Sequence, residues 1–491
     1  MFTSIQSACL DGIGSIPVTV ETSATTGLPH ETIIGLPDMV VKESRNRIKS
    51  AIQLSGFTLP PMAYVINLTP TDVMKRNTSL ELAMCVALLE VTQQLTIPND
   101  LCFIGSLSLD GRILPVRHIL PMVHHFPNRR NTTFVVSHEN VADLAPLSNL
   151  RYIPLHHLKD VTNCKNSAIS TMPTIPPKQP SLPLSYDSIF GHHAIKKACA
   201  YAIFGQHPMI LIGSPGIGKT MLIDHMPSLI PPLDHDSAIE NTCIETLIHP
   251  SPNFTSTAPF RAPHHSITYA GMLGGKNPPQ PGEITRANHG ILFLDELGEY
   301  QRSILDMLRE PMETKCIRLS RAGHSINYPA NFLFVAAMNP CHCGHYFDPN
   351  TPCQCHPSQL KKYWQKISRP LLDRIPICCI LSKPSQHQRS ISHETLSTMV
   401  RTGSSQANRR NPNGCTNHAL THEQFKDVST MSDDGMQLFE TFFAKQHISL
   451  RGQLRLMKLA LTIADAMKSP NITATHALEA IQLSQHHQLP S

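Results

Sequence analysis

The run Gly213-Ser214-Pro215-Gly216-Ile217-Gly218-Lys219-Thr220 has the residue types and spacing of a phosphate-binding loop. Glycines lack a Cβ, so backbone N–H groups can close around phosphate oxygens at the start of a helix. A lysine in this place reaches the β and γ phosphates, and the Thr220 hydroxyl is a ligand for Mg²⁺. The context agrees, because an apolar strand, PMILI, runs into the loop and a helical segment, TMLIDHM, leaves it. ATP with Mg²⁺ is the expected occupant.

Two further strands end in polar residues suited to the same task. GILFLDEL puts Asp295 and Glu296 at the end of an apolar run. Asp295 is placed to hold the Mg²⁺ shell and Glu296 to polarise the attacking water as general base. NFLFVAAMNP ends in Asn339, whose amide suits orienting that water, although alone it reads equally as an Asn-Pro turn. Just beyond lie Cys341, Cys343, Cys353 and Cys355. Four soft ligands at this separation could close a tetrahedral structural Zn²⁺ site. The C-x-C spacing is tighter than the usual C-x₂₋₄-C, and four free thiols in a surface loop is the competing reading.

The elements that must hold these residues follow from the surrounding pattern. From residue 186 to 385, short apolar strands alternate with helices, as in a parallel α/β sheet. Residues 1–168 mix β-rich and helical runs, and a proline-rich stretch, 169–185, reads as an extended linker. Residues 386–491 are mostly helical, with apolar residues three and four apart. At 491 residues, two or three domains are expected. With 41% hydrophobic and 16% charged residues the chain is neither disordered nor membrane-spanning in type. Most cysteines stand singly in apolar segments, and the first residues do not read as a secretion signal, so a reducing, cytoplasmic setting and no membrane partner are expected. A net charge of +5 permits a nucleic-acid partner without arguing for one.

The three strands together resemble AAA+ ATPases. The segments VETSATTGLPHETIIGLPDMVVKESRNRIKSAI, FRAPHHSITYAGMLGG, PGEITRANHGILFLDEL, AAMNPCHCG, SRPLLDRI and SLRGQLRLMKLALTIAD narrow the resemblance to the magnesium-chelatase-like ComM/YifB family. That resemblance implies a P-loop AAA+ core with a helical lid, preceded by an α+β Lon-protease-like (ribosomal S5-like) domain. It also implies a hexameric ATPase driving branch migration of DNA junctions during recombination of incoming DNA. Arg374 in SRPLLDRI resembles the finger that reaches a neighbouring subunit's γ-phosphate, and Arg451 in SLRG resembles the sensor-2 arginine of the lid. The chain departs from the family at Pro376, where an Asp is usual, and at SLRG, where the start is usually SARA-like.

Two places could grip a substrate. The long stretch FRAPHHSITYAGMLGGKNPPQPGEITRANH carries Arg261, His264, His265, Lys276, Arg286 and His289. CIRLSRAGHSINYPA reads as a β-hairpin with Arg321 and His324 near its tip. Cationic loops on a pore axis would hold a DNA backbone regardless of sequence; the competing reading is that both pieces only pack subunits together. In the front domain, Ser79 falls where Lon proteases carry their nucleophile. Leu120 stands where the lysine partner should be, and Arg117 stays protonated and cannot act as base. The front domain is expected to be non-proteolytic, with Ser79 only starting a helix. A protein-remodelling or metal-chelatase-type ATPase subunit is the alternative to a DNA motor.

Overall fold

The structure is a computed structural model that describes residues 1–75, 78–164, 169–179, 184–250, 252–275, 280–321, 324–382, 390–446 and 448–490. It divides into two units, 1–178 with 234–256, and 179–233 with 257–491.

The first unit is built on an eight-stranded mixed sheet. Its strands are β1 (Phe2–Asp11), β2 (Gly14–Thr25), β3 (His30–Ile34), β4 (Ala63–Thr69), β5 (Leu101–Ile104), β8 (Thr133–Ser137), β9 (Arg151–Leu155) and β10 (Ser170–Thr171), with β6 (Ser106–Leu107) and β7 (Ile113–Leu114) forming a separate small hairpin. The order is β10-β9-β8-β5-β1-β2-β4-β3. The helix Glu81–Val91 is apolar on every side and therefore sits inside, packed on β1 and β2. Its buried acid, Glu81, accepts bonds from Ser44 Oγ at 2.5 Å, Ser106 Oγ at 2.7 Å and the Leu107 N–H at 2.8 Å, and pairs with Arg47 at 2.8 Å. A buried carboxylate is tolerable only with such a full set of donors.

Two boundaries differ from the sequence reading. The stretch 169–185 is not wholly linker. Ser170–Thr171 pairs antiparallel with β9, and Met172 is buried, so 169–178, which holds three of the five prolines, belongs to the first unit. Residues 234–256, read as part of the 186–385 core, belong to the first unit as well. The cause is apolar burial. The helix His235–Thr246 places Ile239 and Cys243 in one cluster with Val116, Ile119, Val123 and Leu147, and the Thr246 carbonyl meets His118 Nδ1 at 2.8 Å.

The second unit contains a five-stranded, all-parallel sheet. Along the chain it adds β11 (Met209–Gly213), β12 (Phe260–Arg261), the short pair β13 (Gly274–Gly275) and β14 (Gln280–Pro281), β15 (Ile291–Leu294), the hairpin β16 (Cys316–Arg321) and β17 (His324–Pro329), β18 (Leu333–Met338) and β19 (Ile377–Leu381). The sheet order is β12-β15-β18-β11-β19. Its central strands MILIG, ILFL and LFVAAM are buried throughout, as a parallel sheet covered on both faces requires. The helices His393–Arg410, Leu450–Ala466 and Ala474–Gln482 pack on one another or on the helix His193–Gly205, with Phe204 lying over Gly403. No helix among the described residues is long and apolar enough to cross a membrane.

Candidate active site

The phosphate loop joins β11 to the helix Lys219–Asp224. Gly216 and Gly218 have φ of 75° and 95°, a region costly for residues with a Cβ. The Lys219 ammonium is largely buried and donates to Gly213 O at 2.7 Å, Ser214 O at 3.0 Å and Asn339 Oδ1 at 3.0 Å. Burial lowers its pKa from the usual lysine value, while Asp295 and Glu296 oppose that shift. Lys219 is thus folded back onto its own loop, with the amine within reach of both the loop and the end of β18.

Beside it, Thr220 Oγ1 donates to Asp295 Oδ2 at 2.9 Å, and Asp295 Oδ1 accepts the Glu296 N–H at 2.8 Å. A hydroxyl and a carboxylate brought together offer the all-oxygen donor set that a hard Mg²⁺ ion takes, so the residues fit the metal. Glu296 follows β15 with φ of 51°, a left-handed conformation that costs a non-glycine residue about 1–3 kcal/mol. That bend leaves its side chain more than half exposed, where a base for water must be. Because β18 lies between β11 and β15, Lys219, Asn339 and Asp295 end at adjacent strand tips.

Other residues in the site are legible only in three dimensions. His265 Nδ1 stands 3.4 Å from Glu296 Oε2. The sequence alone groups His265 with the substrate-gripping stretch, because it lies in the long loop rich in Gly, Pro and His. His192 bonds to the backbone of Ile217 and, with Ile195, Leu381, Leu478 and Glu479, lines a cavity of about 650 Å³ beside the loop.

The arginines do not distribute as single-motif reading suggested. Arg374 is nearly buried; it donates to Pro370 O at 2.6 Å and pairs with Glu313 at 3.0 Å. Arg451 is exposed and reaches the same Glu313 oxygen at 3.5 Å, and Arg455, which the sequence reading missed, reaches it at 3.3 Å. One carboxylate therefore gathers three guanidiniums. Burial pushes Arg455 down to about 10, with Arg374 adding to the shift and Glu313 opposing it.

Of the candidate substrate contacts, Arg261 is ion-paired within its own segment. Its guanidinium grips Glu283 at 2.7 and 2.9 Å, and Arg286 joins at 3.1 Å. Burial opposes the charge on Glu283, yet the two arginines hold its carboxyl below the ordinary value. The hairpin β16–β17 forms as expected, with Arg321 paired to His324 in its last register position. The turn residues 322–323, and Lys276, lie outside the described residues.

The four cysteines do converge. All four Sγ atoms lie within 4.8 Å of one another, with Cys341 buried. Ser79 is also buried; it lies in the single 3-10 turn Thr78–Leu80 that leads into the helix Glu81–Val91, and its hydroxyl donates to Ala8 O at 2.8 Å.

A parallel sheet that seats an Asn strand between its phosphate-loop strand and its acidic strand defines the second unit as a P-loop domain of the AAA+-like class. Residues 185–389 match the family described as magnesium chelatase, subunit ChlI; 20–140 match subunit ChlI of Mg-chelatase; and 390–484 match its C-terminal part. The chain is 33% identical over 482 residues to the uncharacterized protein YifB of Salmonella typhimurium, covering 96% of this chain and 94% of that one. It is 30% identical over 490 residues to the competence protein ComM of Haemophilus influenzae, covering 96% and 95%. Similarity to the magnesium-chelatase 67 kDa subunit of Heliobacterium mobile is 29% over 191 residues, or 33% of this chain and 28% of that one. The chain belongs to the magnesium-chelatase-like ComM/YifB family, which implies ATPase activity.

Proposed function

We propose that this protein is an ATP-driven ring motor, a hexamer that moves DNA and supports branch migration in recombination of incoming DNA. The observation that carries the ATPase part is the meeting of Lys219, Thr220, Asp295 and Asn339 at adjacent strand ends. Thr220 and Asp295 hold Mg²⁺, which on binding neutralises phosphate charge. Lys219 swings from the Gly213 and Ser214 carbonyls onto the phosphates. Glu296 takes the proton from the attacking water, and Asn339 orients that water. Arg374 acts on the nucleotide of the neighbouring subunit, and Arg451, on the same carboxylate, acts with it rather than separately. The cavity beside His192 takes the base. One structural zinc ion sits at Cys341, Cys343, Cys353 and Cys355. The first unit is a non-proteolytic module, a role favoured by the bonding of the Ser79 hydroxyl to a carbonyl.

The link to DNA is supported by the full-length similarity to a competence protein. The similarity to a magnesium-chelatase subunit favours a second reading, a chelatase-type or remodelling ATPase. A salt series of affinity for one forked DNA separates them. Changing Arg321 and Lys276 to Ala should weaken binding for all sequences alike and reduce the slope of log affinity against log salt by about one per lost contact. Basal hydrolysis should survive. Unchanged affinity and slope would remove the hairpin and loop from DNA contact, and no binding by the unaltered protein would favour the second reading.

A further inference from the structure

The cysteine cluster is wired to the ATP site by contacts that a metal would make rigid. The Sγ separations are 3.3 Å for Cys341–Cys343, 3.6 Å for Cys341–Cys353 and 3.5 Å for Cys343–Cys353. Zn–S bonds of about 2.3 Å in a tetrahedron place sulfurs about 3.8 Å apart, so a small outward adjustment accepts the ion. None of the four is joined in a disulfide, where the bond is about 2.05 Å. The Cys343 N–H also points at Cys355 Sγ, 3.4 Å away, a donor that would stabilise a thiolate there.

The surroundings say what the ion is for. Cys341 is two residues after Asn339, and the loop it opens turns at Gly344, whose φ is 81°. A Cβ on Gly344 would stand 2.5 Å from the ring of Pro215, inside the phosphate loop, so the knuckle backbone lies directly on that loop. From the other side, Tyr363 OH donates to Asn339 O at 3.0 Å and Trp364 Nε1 to Pro340 O at 3.0 Å. Tyr363 in turn lies against Gly298, just past Glu296. The cysteine loop therefore touches the phosphate loop, while its two flanks fix the backbone of Asn339 and the segment after the acidic strand.

We propose that the Cys341/Cys343/Cys353/Cys355 zinc ion is a brace for the ATP site: it holds Gly344 against Pro215 and so sets where the phosphate loop sits relative to Asn339. This rests on the zinc reading given above. Binding exchanges thiol protons for the metal and needs no oxidant. Zinc loss leaves the parallel sheet in place but frees the loop from Pro215.

Three measurements on the full chain test it. Metal analysis of protein purified without added metal, or reconstituted anaerobically with zinc alone, should give one zinc per chain. Cys353→Ser with Cys355→Ser should give none. That variant should keep its far-ultraviolet circular dichroism and lose turnover on the scale of misplacing a site by about an ångström, about 10²-fold. Gly344→Ala keeps all four ligands and pushes on Pro215. It should retain one zinc while the KM for ATP rises on the order of tenfold. A chain that takes up no zinc in either preparation overturns the metal and the brace together. A Gly344→Ala protein with full zinc and unaltered KM and kcat overturns the brace alone and leaves the metal site standing.

Discussion

In the first unit Glu81 is buried with four donors on it, and Ser79 spends its hydroxyl on a strand carbonyl. In the second, Lys219, Thr220, Asp295 and Asn339 are likewise bonded to one another, but at strand ends and beside an exposed Glu296 held at positive φ. Both regions satisfy their polar groups. The difference is what a ligand could compete for. Around Glu81 three of the four donors, Ser44, Ser106 and the Leu107 N–H, are buried in the core and only Arg47 reaches solvent, so the set cannot be exchanged without opening the core. Around Lys219 the acceptors are loop carbonyls and a side-chain amide that phosphate oxygens can replace. A bonded polar cluster is thus a site only where its partners can be exchanged.

That contrast can be broken by four changes. The largest effect is expected at Arg374. Arg374→Ala should cost about 10³–10⁵-fold in turnover if the finger assignment holds. Mixing it with Lys219→Ala should restore part of the ATPase activity, because different subunits then supply the finger and the loop; mixtures no more active than the separate variants would argue against a shared site. Glu296→Gln should bind ATP and turn it over about 10²–10⁴-fold more slowly. Single-turnover kinetics matching the unaltered protein would remove Glu296 from its role.

A smaller effect concerns pH. His207 is fully buried, bonded to Thr462 Oγ1 at 2.7 Å, and burial pushes its pKa down to about 3, with Lys458 adding to the shift. Its unfolded value is near 6.5, so below that pH the unfolded chain binds a proton that the native chain does not. Its stabilising contribution is complete above about 6.5 and shrinks as pH falls toward 3. Denaturant melts of the second unit should lose about 1–2 kcal/mol from this group between pH 6.5 and 5. His418, whose ring lies 5.4 Å away and is also lowered by burial, adds with the same sign. His207→Gln should flatten this limb, and an equally steep one would rule His207 out. The smallest change is Ser79→Ala, expected to cost about 1 kcal/mol in the first unit and to leave ATP hydrolysis untouched. Covalent labelling of Ser79 by a serine-directed phosphonate would contradict that.

How much of this the sequence carried depended on whether the signal was local. The phosphate loop, the acidic strand, the Asn strand and the hairpin Cys316–Pro329 are each contiguous, and each forms where its pattern placed it. His265, Glu313 and Arg455 were missed because their partners are far along the chain: 31 positions separate His265 from Glu296, and 142 separate Glu313 from Arg455. The partner of Arg261, Glu283, is hidden for the same reason, since it lies 22 positions along the chain. The helix His235–Thr246 gave no sign of its allegiance, because its few apolar residues are spread around it and mark no clear apolar side.

That helix has a consequence for how the chain is made and cut. The polypeptide passes between the units three times, at 178–179, 233–234 and 256–257. During synthesis the first unit cannot close its core over Ile239 and Cys243 until residue 256 has emerged, by which time the phosphate loop has already been made. Nor can one scission free either half. A fragment starting at 179 carries the helix with its apolar residues stripped of their neighbours, and one ending at 178 has a gap where they belong. Isolating the ATPase half requires excising 234–256 and rejoining 233 to 257 through a short spacer.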